Sequence, residues 1–369
     1  MSKTLLGLLQ AACALGFLTL FLGCGGTSPR MIPRPVVVPR FAIVANGLDD
    51  TISTYSVEPS TGNLHGIGTI PAGGTTPISV AVHPSGHFAY VANFKAGTVS
   101  VFSINSKTGG LTAAGTAQAG NNPRYIAMHP TGKFAYVVNQ SSDNIYAWLI
   151  EPVTGALSLA GPPADTGHSP WAMTLDPAGK FAYVTNAGSN TVSAFAIDQT
   201  KGALSPAGDP VATGINPGSI MVDASGKFAY VANISSANIS MFKIDPVNGT
   251  LASIGADIPS GGLLPVSIVG DPSGRFIYVA NAGSAGISAF TVDPITGALT
   301  RMGAPVPTGA GPLSLRFDPT GKYLYAPNSL GDSISRFLID PISGRLMPSN
   351  PPTPTGIMPF CIDIVAGLQ

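Results

Sequence analysis

The chain has 369 residues; 45 are Gly, 34 are Pro, and Asp, Glu, Lys and Arg together make up only 10%. So many helix breakers exclude a helical bundle or coiled coil, and 44% hydrophobic residues with scarce charge exclude disorder. Lys plus Arg, 18, balances Asp plus Glu, 18, so the basic surplus of a nucleic-acid binder is absent, and a β-rich, turn-rich chain with a sizeable core remains.

Residues 1–24 read MSKTLLGLLQAACALGFLTLFLGC. Lys3 precedes an apolar run from Thr4 to Gly23, long for a signal peptide and just enough to span a bilayer as a helix. Gly23 before Cys24, with Gly25-Gly26 after it, resembles the lipobox of bacterial lipoproteins, although Phe21 stands where an aliphatic residue is usual. The resemblance implies a Cys24 that is lipidated and becomes the first mature residue, tied to a membrane of the bacterial cell envelope. An uncleaved anchor or ordinary secretion are the alternatives, and all three place the rest of the chain outside the cytoplasm. Residues 25–40, GGTSPRMIPRPVVVPR, hold four Pro and read as an extended tether. With Cys13 in the signal and Cys24 acylated, Cys361 has no partner, and its apolar strand pattern predicts a buried, inert thiol.

From Phe41 onward the chain repeats. FAIVAN at 41–46 returns as FAYVAN, FAYVVN, FAYVTN, FAYVAN, FIYVAN and YLYAPN, and the closing Asn residues (46, 93, 139, 186, 233, 281, 328) are 47, 46, 47, 47, 48 and 47 apart. Each unit carries four short alternating runs between turn signals. Around Asn186 these are 170–176, 181–186, 191–197 and a weaker fourth ending at Gly214. Four strands of about six residues per unit is the signature of a propeller blade. Phe and Tyr alternate on the second run and face one way; the third run adds an aromatic residue in every unit, such as Phe102, Trp148 and Phe195. Such a surface is buried only by stacking on the next blade. The first unit lacks its first run, while the chain ends in MPFCIDIVAGLQ, whose Pro359 matches Pro77, Pro123, Pro170, Pro217, Pro265 and Pro312. The fold predicted for 41–369 is therefore an all-β, seven-bladed propeller of four-stranded blades, closed by the carboxy-terminal strand joining the amino-terminal blade.

The box Pro-x-Gly-Lys-Phe-x-Tyr-Val-x-Asn, followed by Asp-Pro-x-Thr-Gly-x-Leu, resembles the lactonase-type seven-bladed propellers, which include 6-phosphogluconolactonase-like and muconate-lactonizing enzymes and surface YVTN-repeat proteins. Enzymatic members show Pro-Arg-His opening a first strand and Tyr-Val-x-Asn-Glu closing a second. Here Pro123-Arg124-Tyr125 and Tyr136-Val-Val-Asn139-Gln140 keep the Arg and replace the His and Glu. Both replaced groups are the ones able to exchange protons near pH 7.

First and second strands run antiparallel, so residues after each opening Pro and after each box Asn should ring one channel mouth. Phe94, Arg124, Trp171 and Phe360 fall there, with Tyr125 and Gln140 beside them. An apolar, aromatic mouth with one cation suits a ligand with an apolar face and an anionic or carbonyl group. The first reading is a tethered binding propeller for a small molecule, glycan or protein; Tyr125, Gln140, Trp171, Phe94 and Phe360 would contact it. The alternative is a lactone hydrolase resembling 6-phosphogluconolactonase, with His168 activating water and Arg124 stabilising the oxyanion. Asp176, Asp223, Asp271 and Asp318 share one turn slot with His83 and His129. Asp198, Asp245, Asp293 and Asp340 share a second with Glu58 and Glu151, so these groups read as turn residues. No metal motif or cofactor loop is present, although Asp49, Asp50 and Asp332 share a rim where oxygen ligands could suit Ca²⁺. Neither a cofactor nor a partner subunit is expected.

Overall fold

The computed structural model describes residues 37–368. The anticipated signal segment with Cys24, and the tether up to residue 36, lie outside them. The described chain forms seven antiparallel sheets, one per repeat. Blade 2 runs Pro77–Val82, Phe88–Asn93, Thr98–Ile104 and Leu111–Gln118, from the channel outward. In blades 3 to 6 the weak fourth run is split in two, as Leu204–Pro206 and Val211–Ala212 in blade 4.

The ring closes as the terminal repeats require. Pro359–Leu368 is the innermost strand of blade 1 and pairs with Val37–Asn46 from Asn46↔Pro359 to Val37↔Leu368. That first strand starts at Val37, four residues before the expected propeller boundary at Phe41. The carboxy-terminal strand runs on to Leu368 and offers an edge. A register shift between Pro39 and Phe41 absorbs the proline that had made this stretch read as tether.

Each interface between blades takes aromatic residues from both sides. Phe88, Tyr90 and Ala92 of blade 2 pack against Ala135, Val137 and Trp148 of blade 3. The aromatic residue of the third strand therefore lies on the opposite face from Phe and Tyr, because Ala89, not Phe88, pairs with Phe102. The Tyr hydroxyl locks the same interface. Tyr90 donates to Gly155 O at 2.9 Å, and Tyr325 crosses the closure to Gly62 O at 2.8 Å. Gly155 has φ of 73°, and a Cβ there would meet the Phe88 ring at 2.5 Å, so only glycine permits the approach.

The polar repeat residues serve this scaffold. Asn46 Nδ2 donates to Thr51 Oγ1 at 3.0 Å and Ser53 Oγ at 2.8 Å, and all seven box Asn are fully buried. Asp176 accepts the Phe181 N–H at 2.6 Å; in the same slot His83 and His129 bond Gly132 O and Gly179 O of the next blade. Asp198, Asp245, Asp293 and Asp340 accept N–H groups of their own turns, which hold three of these carboxyls (Asp198, Asp293 and Asp340) below the usual range.

Candidate functional site

Pro123 pairs with Asn139, Pro170 with Asn186 and Pro217 with Asn233, so the residues after them converge on one face. Directly after each Pro the ladder slips. Register shifts fall at Pro77/Ser79, Pro123/Tyr125, Pro170/Met173 and Pro217/Ser219. A bulge turns its extra residue out of the ladder, and those residues are Ile78, Arg124, Trp171 and Gly218. In blade 4 the bulge is wider. Thr185, where other boxes carry Ala, Val or Pro, fills it, donating to Ala172 O at 3.3 Å and accepting the Ala172 N–H at 3.0 Å.

The bulges turn Arg124 and Trp171 toward each other and toward Phe94, which follows box Asn93, so that three successive blades contribute one residue each. The Arg124 guanidinium carbon lies 3.2 Å from the Trp171 ring centroid and 6.0 Å from that of Phe94. Gly218 leaves room for the far side of the cluster, since a Cβ there would meet Ile234 at 2.5 Å and Trp171 Nε1 at 3.8 Å. Arg124 Nε is buried with no hydrogen-bond partner. Burial without a neighbouring carboxylate pulls the guanidinium down to about 9. A desolvated cation between aromatic faces, lacking an anion of its own, is poised for an anionic or carbonyl oxygen.

Gln140 joins this group indirectly: its Nε2 donates to Ser169 Oγ at 3.0 Å. Ser169 adjoins His168, whose Nδ1 lies 2.5 Å from Asp143 Oδ2, and Asp143 Oδ1 accepts the Ser169 N–H at 2.7 Å. His168 is 78% exposed on the rim, and among the described residues no hydrogen bond or ion pair joins it to Arg124. Phe360 lies apart from the cluster, where a Cβ on Gly47 would meet its ring at 2.5 Å.

Tyr125 turns down the channel, into a polar group that sequence reasoning did not find. Arg316 Nε, on the inner strand of blade 7, lies 2.7 Å from Asp363 Oδ1 on the closing strand of blade 1. Asp363 Oδ2 also accepts the Val82 N–H of blade 2 at 2.8 Å, so one carboxylate ties three blades at the seam. Asp363 raises Arg316 further, although channel water reaches 53% of its side chain. Burial pushes the Tyr125 phenol up to about 12 and the Cys361 thiol up to about 11. A signal for this group was present: the inner-strand column Ala81, Ala127, Thr174, Met221, Val269, Arg316, Asp363 turns from small or apolar to charged at adjacent blades. Asp143 gave no such signal, because it occupies a loop slot shared with Asp50, Asn190 and Asp332.

Asp49, Asp50 and Asp332 are spent on loop N–H groups, those of Ile357, Thr76 and Met358. Among the described residues no three His, Cys, Asp or Glu gather as a metal site.

The family described as Lactonase, 7-bladed beta-propeller, matches residues 37–120, 112–268 and 265–363. No curated protein matches the chain. Among solved structures, a candidate 6-phosphogluconolactonase from Bacteroides uniformis superposes with a TM-score of 0.79 at 22% identity, covering 89% of this chain and 99% of its own. A second candidate 6-phosphogluconolactonase, from Bacteroides fragilis, gives 0.78 at 22%, covering 89% and 98%. The periplasmic gluconolactonase of Pseudomonas aeruginosa gives 0.76 at 19%, covering 89% and 99%.

Proposed function

The chain belongs to the lactonase family of seven-bladed β-propellers, and from that premise we propose that its channel mouth binds and opens a lactone. The observation that carries this reading is Arg124, a half-buried guanidinium stacked at 3.2 Å on Trp171, with its Nε buried and, among the described residues, without a hydrogen-bond partner. The lactone carbonyl oxygen takes the unfilled side of Arg124, where charge develops as water adds to the carbonyl carbon. His168, oriented through Nδ1 by Asp143, has Nε2 free to take the proton of that water. The acyl C–O bond of the ring breaks, the ring oxygen receives the proton, and a hydroxy acid leaves. No co-reactant is required. Arg124 keeps the guanidinium of the family's Pro-Arg-His, and His168–Asp143 supplies the titratable pair that Tyr125 and Gln140 do not.

A second reading is binding without turnover. It is favoured by the 78% exposure of His168, since an efficient base is better shielded from bulk water. The reaction compartment we propose is extracytoplasmic. The apolar segment ending in Gly23-Cys24 supports this, as does the likeness to a periplasmic gluconolactonase.

The test is acid release from a panel of γ- and δ-lactones by the purified chain, beside its Arg124→Gln and His168→Ala variants. Turnover abolished in both supports hydrolysis. Turnover that survives His168→Ala refutes the base, and ligand binding with no turnover in the unaltered chain selects the second reading.

A further inference from the structure

The rim around the mouth is divided into two chemically different halves. In six blades, all but blade 2, the loop after the box Asn is tied at its outer residue to the loop before the inner-strand Pro, as Ser141 N–H to Asn121 O at 3.2 Å and Leu330 N–H to Ala310 O at 3.1 Å. Blade 1, with Leu48 N–H to Ile357 O at 3.4 Å, and blade 4, with Gly188 N–H to His168 O at 3.0 Å, are among them, so the outer residues occupy equivalent positions around the ring. On blades 2 to 4 the residues at this level are polar or lack a side chain: Lys95, Asn121, Ser141, Gly188 and His168. On blades 5, 6, 7 and 1 they are Ile215, Leu263, Leu330, Leu48 and Ile357, each 52 to 76% exposed, beside the small residues Ser235, Gly283 and Ala310. Blades that share a backbone do not share this chemistry, so the scaffold does not demand it. Aliphatic side chains repeated at one level over four consecutive blades form a surface feature rather than scattered exposure.

The mouth continues the same division inward. On the aliphatic side its residues are Ile234, Val266, Leu313 and Phe360. The hydroxyl there, that of Ser329, is spent on Gly311 O at 2.9 Å. On the opposite side stand Arg124, Trp171 and the His168–Asp143 pair. A polyhydroxylated sugar lactone would find few free partners for its hydroxyls across such a mouth, whereas an alkyl chain would cover side chains that are now wet.

We infer that the ligand is an amphiphile: a lactone whose ring bears an alkyl or acyl chain, or the hydroxy acid formed from it. Its carbonyl lies at Arg124 and its chain extends over blades 5, 6, 7 and 1. This rests on the Arg124 reading above and adds the class of ligand. Hydrolysis leaves the chain untouched, because water adds only across the ring acyl C–O bond.

The experiment uses lactones of one ring size with unbranched chains of zero to about ten carbons. Affinity is read by calorimetry and turnover by acid release. Affinity should rise by about two- to fourfold per methylene, until the chain outruns the apolar arc. The double variant Leu263→Ser/Leu330→Ser should flatten that slope and leave the chainless lactone unchanged, whereas Arg124→Gln should weaken every member alike. Both rim residues are exposed, so the fold does not depend on them. An affinity independent of chain length, or a slope indifferent to the rim variant, overturns the inference. Acid release without a slope retains lactone hydrolysis and rejects the amphiphile. A slope in binding without acid release does the reverse.

Discussion

Replacing Arg124 by Met should make the protein more stable while abolishing its affinity for the ligand. Arg124 carries charge into a site where no carboxylate of the described residues pairs with it, and the ion pair that another arginine makes in the channel, Arg316–Asp363, does not include it. Its descent from the ordinary guanidinium range to about 9 corresponds to roughly 5 kcal/mol at about 1.36 kcal/mol per unit. Stacking on Trp171 returns roughly 2 kcal/mol, which leaves a net cost of about 3 kcal/mol. Met keeps an unbranched stem between Phe94 and Trp171 and offers sulfur to the rings. Arg124→Met should therefore gain about 1 to 3 kcal/mol, a rise in Tm of about 2 °C per kcal/mol for a chain of this size. Because the folded-state pKa is depressed, the cost is complete below about pH 9 and fades as pH climbs from there toward the ordinary guanidinium range. The advantage of Met should shrink over the same window. Urea and thermal unfolding of both chains at pH 7 and pH 10 read this directly. A variant less stable than the parent at pH 7 would show that the guanidinium is already compensated and has no need of a bound anion.

The Tyr latches provide an internal control. Tyr325→Phe should lose about 1 kcal/mol in urea unfolding, because it removes a buried bond to Gly62 O, whereas Tyr136→Phe should be neutral or stabilising, since the Tyr136 hydroxyl is buried without a partner. Cys361, pushed up to about 11, should react with iodoacetamide at pH 8 on the order of a hundredfold more slowly than an unperturbed thiol. Site-resolved mass spectrometry should show its labelling rising about tenfold per pH unit up to about pH 11; fast labelling at pH 8 contradicts the burial. Deleting residues 357–369 removes the innermost strand of blade 1 and the carboxylate that ties Arg316 and Val82, so no cooperative unfolding transition should remain. A soluble truncated chain with a sharp transition would refute closure by that strand.

The propeller was legible because its signals repeat. The box spacing, the Phe–Tyr alternation and the missing first strand of the first unit each point to one ring and one way of closing it. The converging mouth was legible for the same reason, since Pro and Asn mark opposite ends of two paired strands. What escaped was set by pairing detail. Val37 to Arg40 read as tether because Pro39 hides a strand whose partner lies at the far end of the chain. The third-strand aromatics read as additions to the Phe–Tyr face because register, not composition, puts Phe102 opposite Ala89. Trp171 was visible as a mouth residue, but the double bulge that presents it is filled by Thr185, one hydroxyl at a position that is Ala, Val or Pro in the other boxes. Phe360 and Tyr125 were placed at the right level yet turn to other partners, which backbone position alone does not decide.

Asp143 is where scaffold and site can be separated. One of its oxygens accepts the Ser169 N–H at 2.7 Å; Asn190 does the same one blade later, accepting the Asn216 N–H at 2.8 Å through an amide oxygen. The loop therefore needs an oxygen there but not a charge. The charge matters only to the second oxygen, which holds His168 Nδ1. Of the other carboxylates at this rim, Asp49, Asp50 and Asp332 are engaged by loop N–H groups, so the proposed hydrolysis assigns proton acceptance to His168–Asp143. Asp143→Asn should leave Tm within about 1 °C, because the loop tie survives, and should leave ligand affinity at Arg124 unchanged. Turnover should fall at least tenfold, since an amide no longer orients the imidazole or stabilises its protonated form. Binding and Tm separate this from structural damage, and Asp143→Ala, which breaks the tie as well, should lose stability in addition. Full turnover in Asp143→Asn would remove His168 from the chemistry and leave Arg124 as a binding group alone.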